Sequence, residues 1–186
     1  EKKIIKFISE FDKKKKIISI FPGSRLSEIR TLMPILISFI KLCQKDRNDL
    51  TFVFHTIKIL KSKVQDYIIN FNIDSCEIVS DEGIKKNILS NSMLAIAKSG
   101  TVSLEICNLN IPSIVIYKIN FINFFIIKSL VDVRFANIVN IISNYEVIPE
   151  LLQSKCNASN IYEKFNLFMN DESLRSKQIL EYQKIL

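Results

Sequence analysis

Two short stretches of this chain put a glycine, small hydroxylated residues and charged groups within a few positions of one another. They are Pro22-Gly23-Ser24-Arg25-x-x-Glu28 and Ser99-Gly100-Thr101-x-x-x-Glu105. Each glycine follows an apolar run and precedes a helical pattern. A strand–glycine–helix junction gathers bare backbone N–H groups beside a helix N-terminus, which suits a phosphate. The chain has only three glycines in 186 residues, so two placed this way mark a candidate anion site. Gly23 permits a tight turn and a close approach of backbone to ligand. Arg25 offers a planar fork of donors for a phosphate or a carboxylate; the alternative is a surface pair with Glu28. Ser99 or Thr101 can cap the following helix, and both hydroxyls can bond a phosphate. Glu105, about one turn further on, can accept from both hydroxyls of a ribose, as the acidic residue of dinucleotide folds does. The plainer alternative is a capped helix whose dipole favours the Glu.

Other chemistries lack their residues. No Gly-Lys-Ser/Thr follows either glycine and no Gly-x-Gly-x-x-Gly occurs, which disfavours a Walker loop and a nicotinamide or flavin site. His55 is the only imidazole and ends an apolar run, so Ser-His-Asp and Cys-His arrangements and multi-histidine metal sites are excluded. It reads as a structural or site-rim residue. Cys43, Cys76, Cys107 and Cys156 form no Cys-x-x-Cys pair, which argues against zinc and a disulfide framework and suits a reducing cytoplasm. No metal and no cofactor is expected.

Strands and helices must carry these junctions. Apolar runs at 17–21, 51–55, 76–79, 94–97 and 113–117 have the composition of strands buried on both faces. Between them Met33, Leu36, Ile37, Ile40 and Cys43 recur at helical spacing, and Ile59, Val64, Tyr67, Ile68 and Phe71 form a second stripe. Shorter helices are predicted at 84–89 and 102–107. Pro34 is costly inside a helix and welcome at its first position. That predicts a helix beginning near Met33, with 23–33 a loop that frees Ser24, Arg25 and Glu28 to face ligand. The repeated β-α-β order implies an α/β fold, a doubly wound parallel sheet with right-handed crossovers. Such sheets bind ligands at their carboxyl edge. The chain divides into a basic lead-in at 1–16, a Rossmann-like domain at 17–158, for which the resemblance given below implies nucleotide-sugar binding, and a helical C-terminal segment at 159–186.

The net charge is +7, with seven lysines in the first 16 residues. Such an arm can attract an anionic lipid surface or nucleic acid. The richness in Ile, Lys, Asn and Phe, without Trp, offers a plainer origin in the codon bias of an AT-rich genome. No aromatic–basic platform is present, so nucleic acid is not expected as a partner. No apolar run reaches the roughly 18 residues of a spanning helix. The apolar run at 121–127 reads as a buried helix, with contact to acyl chains or membrane as the alternative. The first residue is Glu rather than Met, so the chain is expected to be a piece of a longer one.

In their order along the chain these segments resemble lipid-A-disaccharide synthase, a glycosyltransferase family of the GT-B type. The resemblance is carried by Phe21-Pro22-Gly23-Ser24-Arg25-Leu26-Ser27-Glu28-Ile29, by Ala97-Lys98-Ser99-Gly100-Thr101-Val102-Ser103-Leu104-Glu105 and by Ile111-Pro112-Ser113-Ile114-Val115-Ile116-Tyr117-Lys118. Phe135-Ala136-Asn137-Ile138-Val139 and Val147-Ile148-Pro149-Glu150-Leu151-Leu152-Gln153 follow. It covers nearly the whole chain and corresponds to the family's C-terminal, donor-binding half.

The resemblance implies an inverting transfer of 2,3-diacylglucosamine from its UDP-linked form to 2,3-diacylglucosamine 1-phosphate. The products are the β-1,6 disaccharide of lipid A and UDP. By position it places Gly23, Ser24 and Arg25 beside the nucleotide-sugar phosphates, Ser99, Gly100 and Thr101 at the diphosphate-facing helix start, and Glu105 at the ribose. It implies a donor-site role for Asn137, with Gln153 near it, and puts Tyr117 and Lys128 at the cleft. Lys98 stands where the family often has Ala, and Lys118 where it often has Arg, which keeps the charge but loses the planar fork. The N-terminal half, with the acceptor surface and the expected catalytic base, is absent. Lipid substrates imply work in the cytoplasm at the inner membrane's face. The helical C-terminal segment can pack on the missing domain or on a second subunit, a homodimer included. Alternatives are another GT-B enzyme acting on UDP-N-acetylglucosamine, or a non-catalytic UDP-binding fragment.

Overall fold

Runs of β-branched and aromatic residues, apolar on both sides, can be buried only in the middle of a layered fold. In the computed structural model, which describes residues 15–119 and 134–185, they pair into one parallel sheet of six strands. The strands are β1 (Lys16–Phe21), β2 (Leu50–His55), β3 (Cys76–Val79), β4 (Ser92–Lys98), β5 (Ser113–Tyr117) and β6 (Glu150–Leu152). Their spatial order is β3-β2-β1-β4-β5-β6. The chain winds outward from β1 in one direction and then, from β4, in the other. The reversal opens a crevice between the carboxyl ends of β1 and β4.

Side chains alternate along each strand. Ile18, Ile20, Phe52, Phe54, Leu94, Ile96, Ile114 and Ile116 join one large core. It is completed by α1 (Leu26–Asp46), α2 (Lys61–Asn70) and α6 (Ala158–Asn170). Phe39 of α1 meets Phe165 of α6 edge-on, with ring centroids 5.3 Å apart. The opposite face carries Phe21, Ala95 and Ala97, Val53, and Val115. It is covered by α3 (Glu82–Ser90), α4 (Val102–Asn108), α5 (Ile138–Ser143) and α7 (Glu172–Ile185). On that face Gln178 of α7 acts as a polar clasp. Its Oε1 accepts from the Ser113 N–H at 2.8 Å, and its Nε2 donates to the carbonyls of Ser113 and Val147.

The helix expected to begin near Met33 begins at Leu26 and runs through Pro34. Proline there removes one backbone donor, but Arg30 and Pro34 are both exposed, so the carbonyl that loses its partner lies on the wet side. Ile29, Leu32 and Met33 are fully buried in that first stretch, and their burial outweighs the lost bond. The second stripe also reads differently. Val64 and Ile68 are buried, whereas Ile59 sits exposed in a short 3-10 turn before α2 and Phe71 is exposed beyond its end. The strand β6 and the helix α5, of three and six residues, are too short to give a periodic signal in the sequence.

Candidate nucleotide site

Three sheet ends build the site: β1, β4 and, beside β1, β2. They surround a cavity of about 210 Å³ at the carboxyl edge. Gly23 and Ser24 line it from β1, His55, Thr56 and Ile57 from β2, and Lys98 through Val102 from β4. Glu82 and Lys85 of α3 close one side.

The first junction is organised around Glu28 rather than around open space. Gly23 has φ +112, and a Cβ there would lie 2.3 Å from Glu28 Oε2. The close approach that the glycine permits is therefore made by a side chain of the same chain. Oε2 accepts from the N–H of Ser24 at 2.9 Å and of Arg25 at 3.2 Å, reaching back to satisfy orphan donors at the start of α1. Oε1 pairs with Lys98 Nζ at 3.0 Å. Burial alone would raise the Glu28 pKa. Lys98 and the two backbone donors outweigh it, and the carboxyl ends below the usual range. The alternative reading, an Arg25–Glu28 surface pair, does not form, and Glu28, though it lines the cavity, is already engaged by the Ser24 and Arg25 N–H groups and Lys98. Arg25 stays exposed at the head of α1, outside the cavity lining.

The second junction is more open. A Cβ at Gly100 would meet only the Lys98 carbonyl, at 3.9 Å, so space rather than backbone strain is what this glycine provides. Neither Ser99 nor Thr101 caps α4 with its side chain. The Ser99 hydroxyl instead donates to the Ala136 carbonyl at 2.6 Å, which pins the 134–137 loop over the β4 end. Thr101 is exposed at the cavity. Among the described residues the N–H groups of Gly100, Thr101 and Val102 have no acceptor. Glu105 Oε2 lies 2.9 Å from Lys85 Nζ, so its carboxylate meets the cavity wall through that lysine. Burial pulls the Lys85 pKa down, but bonds to Glu105 and Glu82 outweigh it and the ammonium ends above its ordinary value.

The other expected site residues lie at varying distances from the cavity. Tyr117 meets its edge through Lys98, whose Nζ stands 5.4 Å from the ring centroid. Asn137 is fully buried and spends its side chain on structure: Nδ2 donates to Ser103 Oγ, and Oδ1 accepts from Val139 N to cap α5. Glu150 holds the same turn, accepting from the N–H of Ala136 and Asn137 and from Asn140 Nδ2. Gln153, at φ +50 past β6, accepts from Ile119 N and does not line the cavity. Lys128 and the apolar run at 121–127 fall outside the described residues, as does most of the basic lead-in.

Sequence reasoning gave no site role to Lys85, Lys98, Thr56 and Ile57. Their one signal is position, at or just past a strand end or on the first turn of α3. His55 proves to be both buried and at the cavity wall. Its ring stacks on Phe21 with centroids 4.4 Å apart, and Nε2 lies 2.8 Å from Ser19 Oγ. The protons can be assigned by following the chain of hydroxyls. Ser92 Oγ donates to the Ile88 carbonyl, so it accepts from Ser19 Oγ at 2.7 Å, and Ser19 in turn accepts from His55 Nε2–H. Burial, then the Lys85 charge, holds the His55 pKa down to about 3, so the ring is neutral. A neutral ring in this tautomer leaves Nδ1 as a bare acceptor, without a partner among the described residues.

Chemically, then, the crevice offers free backbone donors, two lysines and two carboxylates around a neutral aromatic wall. That composition suits a ligand combining anionic groups with hydroxyls. Comparison with known proteins gives the family and the fold. A family model described as lipid-A-disaccharide synthetase matches residues 1–186. The chain is 34% identical over 175 residues to a lipid-A-disaccharide synthase of Sulfurihydrogenibium sp. (strain YO3AOP1), covering 89% of this chain and 45% of that protein. It is 33% identical over 182 residues to the Rickettsia felis enzyme of the same name, covering 95% of this chain and 45% of the relative. The chain thus spans about 45% of the length of these curated relatives. Among solved structures, UDP-GlcNAc 2-epimerase from Neisseria meningitidis bound to UDP-GlcNAc superposes with a TM-score of 0.67 at 14% identity, over 97% of this chain and 44% of that one. E. coli ADP-heptose lps heptosyltransferase II gives 0.64 at 10% identity, over 93% and 53%. These likenesses show a shared Rossmann-like fold.

Proposed function

Because the chain belongs to the lipid-A-disaccharide synthetase family, we propose that its crevice binds the UDP moiety of a UDP-linked acylated glucosamine as the donor half of a glycosyltransferase. The observation that carries this reading is the run of unbonded backbone donors at Gly100, Thr101 and Val102, opening on a cavity that Lys85 and Lys98 also line. In this reading the diphosphate lies against the 100–102 turn and the ribose against Glu105. The sugar projects out of the crevice toward the rest of the enzyme.

The reaction follows from that placement. The bond from the anomeric carbon to the β-phosphate oxygen breaks, and its electron pair leaves with UDP. The acceptor hydroxyl of 2,3-diacylglucosamine 1-phosphate attacks from the opposite face and gives up its proton to a base. Negative charge grows on the leaving phosphate as the sugar becomes oxocarbenium-like. Donors already fixed around that phosphate stabilise the growing charge without reorganising. The backbone of 100–102 and the ammonium of Lys98 are assigned that role, and the exposed Arg25 at the head of α1 is assigned to swing onto the same phosphate once the donor is bound. The base is not assigned to this chain. Acylated substrates and the basic lead-in support work at a membrane surface. No described helix is long and apolar enough to cross one.

The test is titration with UDP followed by amide chemical shifts. Shifts gathered at residues 23–24, 55–57, 85 and 98–105 are expected. Absence of binding at millimolar UDP by the folded protein overturns the reading. Tighter selection for UDP-N-acetylglucosamine than for its diacylated counterpart, in the complete transferase, shifts it to the unacylated sugar.

A further inference from the structure

We infer that Lys85 is a positioning residue for the nucleotide, holding one oxygen of the Glu105 carboxylate so that the other is presented to the ribose hydroxyls. The inference rests on the UDP reading of the cavity and gives Lys85, there a lining residue only, a role of its own.

Glu105 leaves the first turn of α4 with its side chain 36% exposed. A glutamate so placed has three torsions and water on one side, so it is not fixed by its own helix. Among the described residues its carboxylate has one bonding partner, Lys85 Nζ at 2.9 Å. Lys85 comes from α3, a separate element, and its side chain is only 20% exposed. It reaches the carboxylate along the face of Phe21, with Nζ 6.0 Å from the ring centroid. Glu82, one turn earlier on α3, bonds the same ammonium at 3.2 Å from the solvent side. The lysine is thereby held from two directions, and it lines the cavity itself. Oε2 of Glu105 is taken by Lys85, and Oε1 remains as an acceptor. A carboxylate held in this way does not have to be ordered when the ligand arrives. Ordering one such side chain on binding costs about three- to tenfold in affinity.

The test is calorimetric titration of the protein and its Lys85→Met variant with UDP and with 2′,3′-dideoxy-UDP, which keeps the base and diphosphate and lacks both ribose hydroxyls. The expected result is a loss of affinity in the variant that is three- to tenfold greater for UDP than for the dideoxy nucleotide. Lys85→Arg, which keeps a donor toward Glu105, is expected to retain most of the UDP affinity, and it covers the case in which the Met variant folds poorly. Equal weakening for both nucleotides places Lys85 on the phosphate and overturns the inference. So does tighter UDP binding in Lys85→Met, which makes the lysine a competitor for Glu105. Failure of the unsubstituted protein to bind UDP overturns the nucleotide reading and this inference together, whereas the other outcomes leave that reading standing.

Discussion

The carboxylate of Glu28 occupies the space where Gly23 would carry a Cβ, 2.3 Å from its ideal position. A glycine that looks in sequence like a ligand's approach route is an internal socket. Through it, Glu28 caps α1 and reaches Lys98 on β4, tying the carboxyl ends of the two strands that border the crevice.

Gly23→Ala therefore meets two obstacles, a φ of +112 and the Glu28 carboxylate. The backbone strain alone costs about 1–3 kcal/mol, and displacing Glu28 adds the loss of its cap and ion pair. Urea denaturation is expected to show the full loss in Gly23→Ala. Glu28→Ala opens the socket, so the double variant should lose less than the sum of the two single losses. Strict additivity would separate the two residues energetically.

Arg25 is the contrasting case. It is exposed and makes no ion pair with Glu28. Arg25→Ala should leave stability within about 0.5 kcal/mol of the parent. If it faces the leaving phosphate, transfer by the complete enzyme should fall by about 100-fold. Unchanged turnover removes Arg25 from the mechanism.

His55 sets a pH dependence whose sign follows from its burial. In the unfolded chain the imidazole takes a proton near its ordinary value of 6.5; in the fold it resists protonation down to about 3. The unfolded state binds more protons between those values. Stability is full above pH 6.5 and falls as pH drops, by about 1.4 kcal/mol per unit. As the only histidine, it is the group that dominates the span from pH 6.5 to 5, ahead of the carboxylates. Denaturation midpoints at pH 7, 6 and 5 should decline in the parent and stay nearly level in His55→Gln. Parallel declines would assign the slope elsewhere.

Gln178 tests how the last helix is held. Its amide satisfies the backbone of Ser113 on both sides and the Val147 carbonyl, all in the interior. Gln178→Ala leaves those groups without partners and should cost about 2–4 kcal/mol. A loss below 1 kcal/mol in the same urea experiment would mean that water replaces the amide.

The sequence by itself determined the sheet and the layering. Apolar runs at β1, β2, β4 and β5 admit no exposed face, and their alternation with helical stripes leaves a doubly wound sheet as the arrangement that buries them; β3, at the sheet edge, leaves Glu77 exposed where burial on both faces was expected. The sequence also placed the crevice, because glycines after β1 and β4 mark the two strand ends that border it. What it could not decide is which side chains spend their polar atoms on each other. Ser99, Asn137 and Glu28 all have ligand-binding chemistry, yet they bond the Ala136 carbonyl, Ser103 and the Ser24 N–H respectively. Lys85, Lys98 and His55 carry no motif, yet they wall the cavity. Local spacing fixes which face of a helix or strand a residue occupies. Only the closing of distant elements over one another decides whether its polar atoms find a partner inside the protein or are left for a ligand.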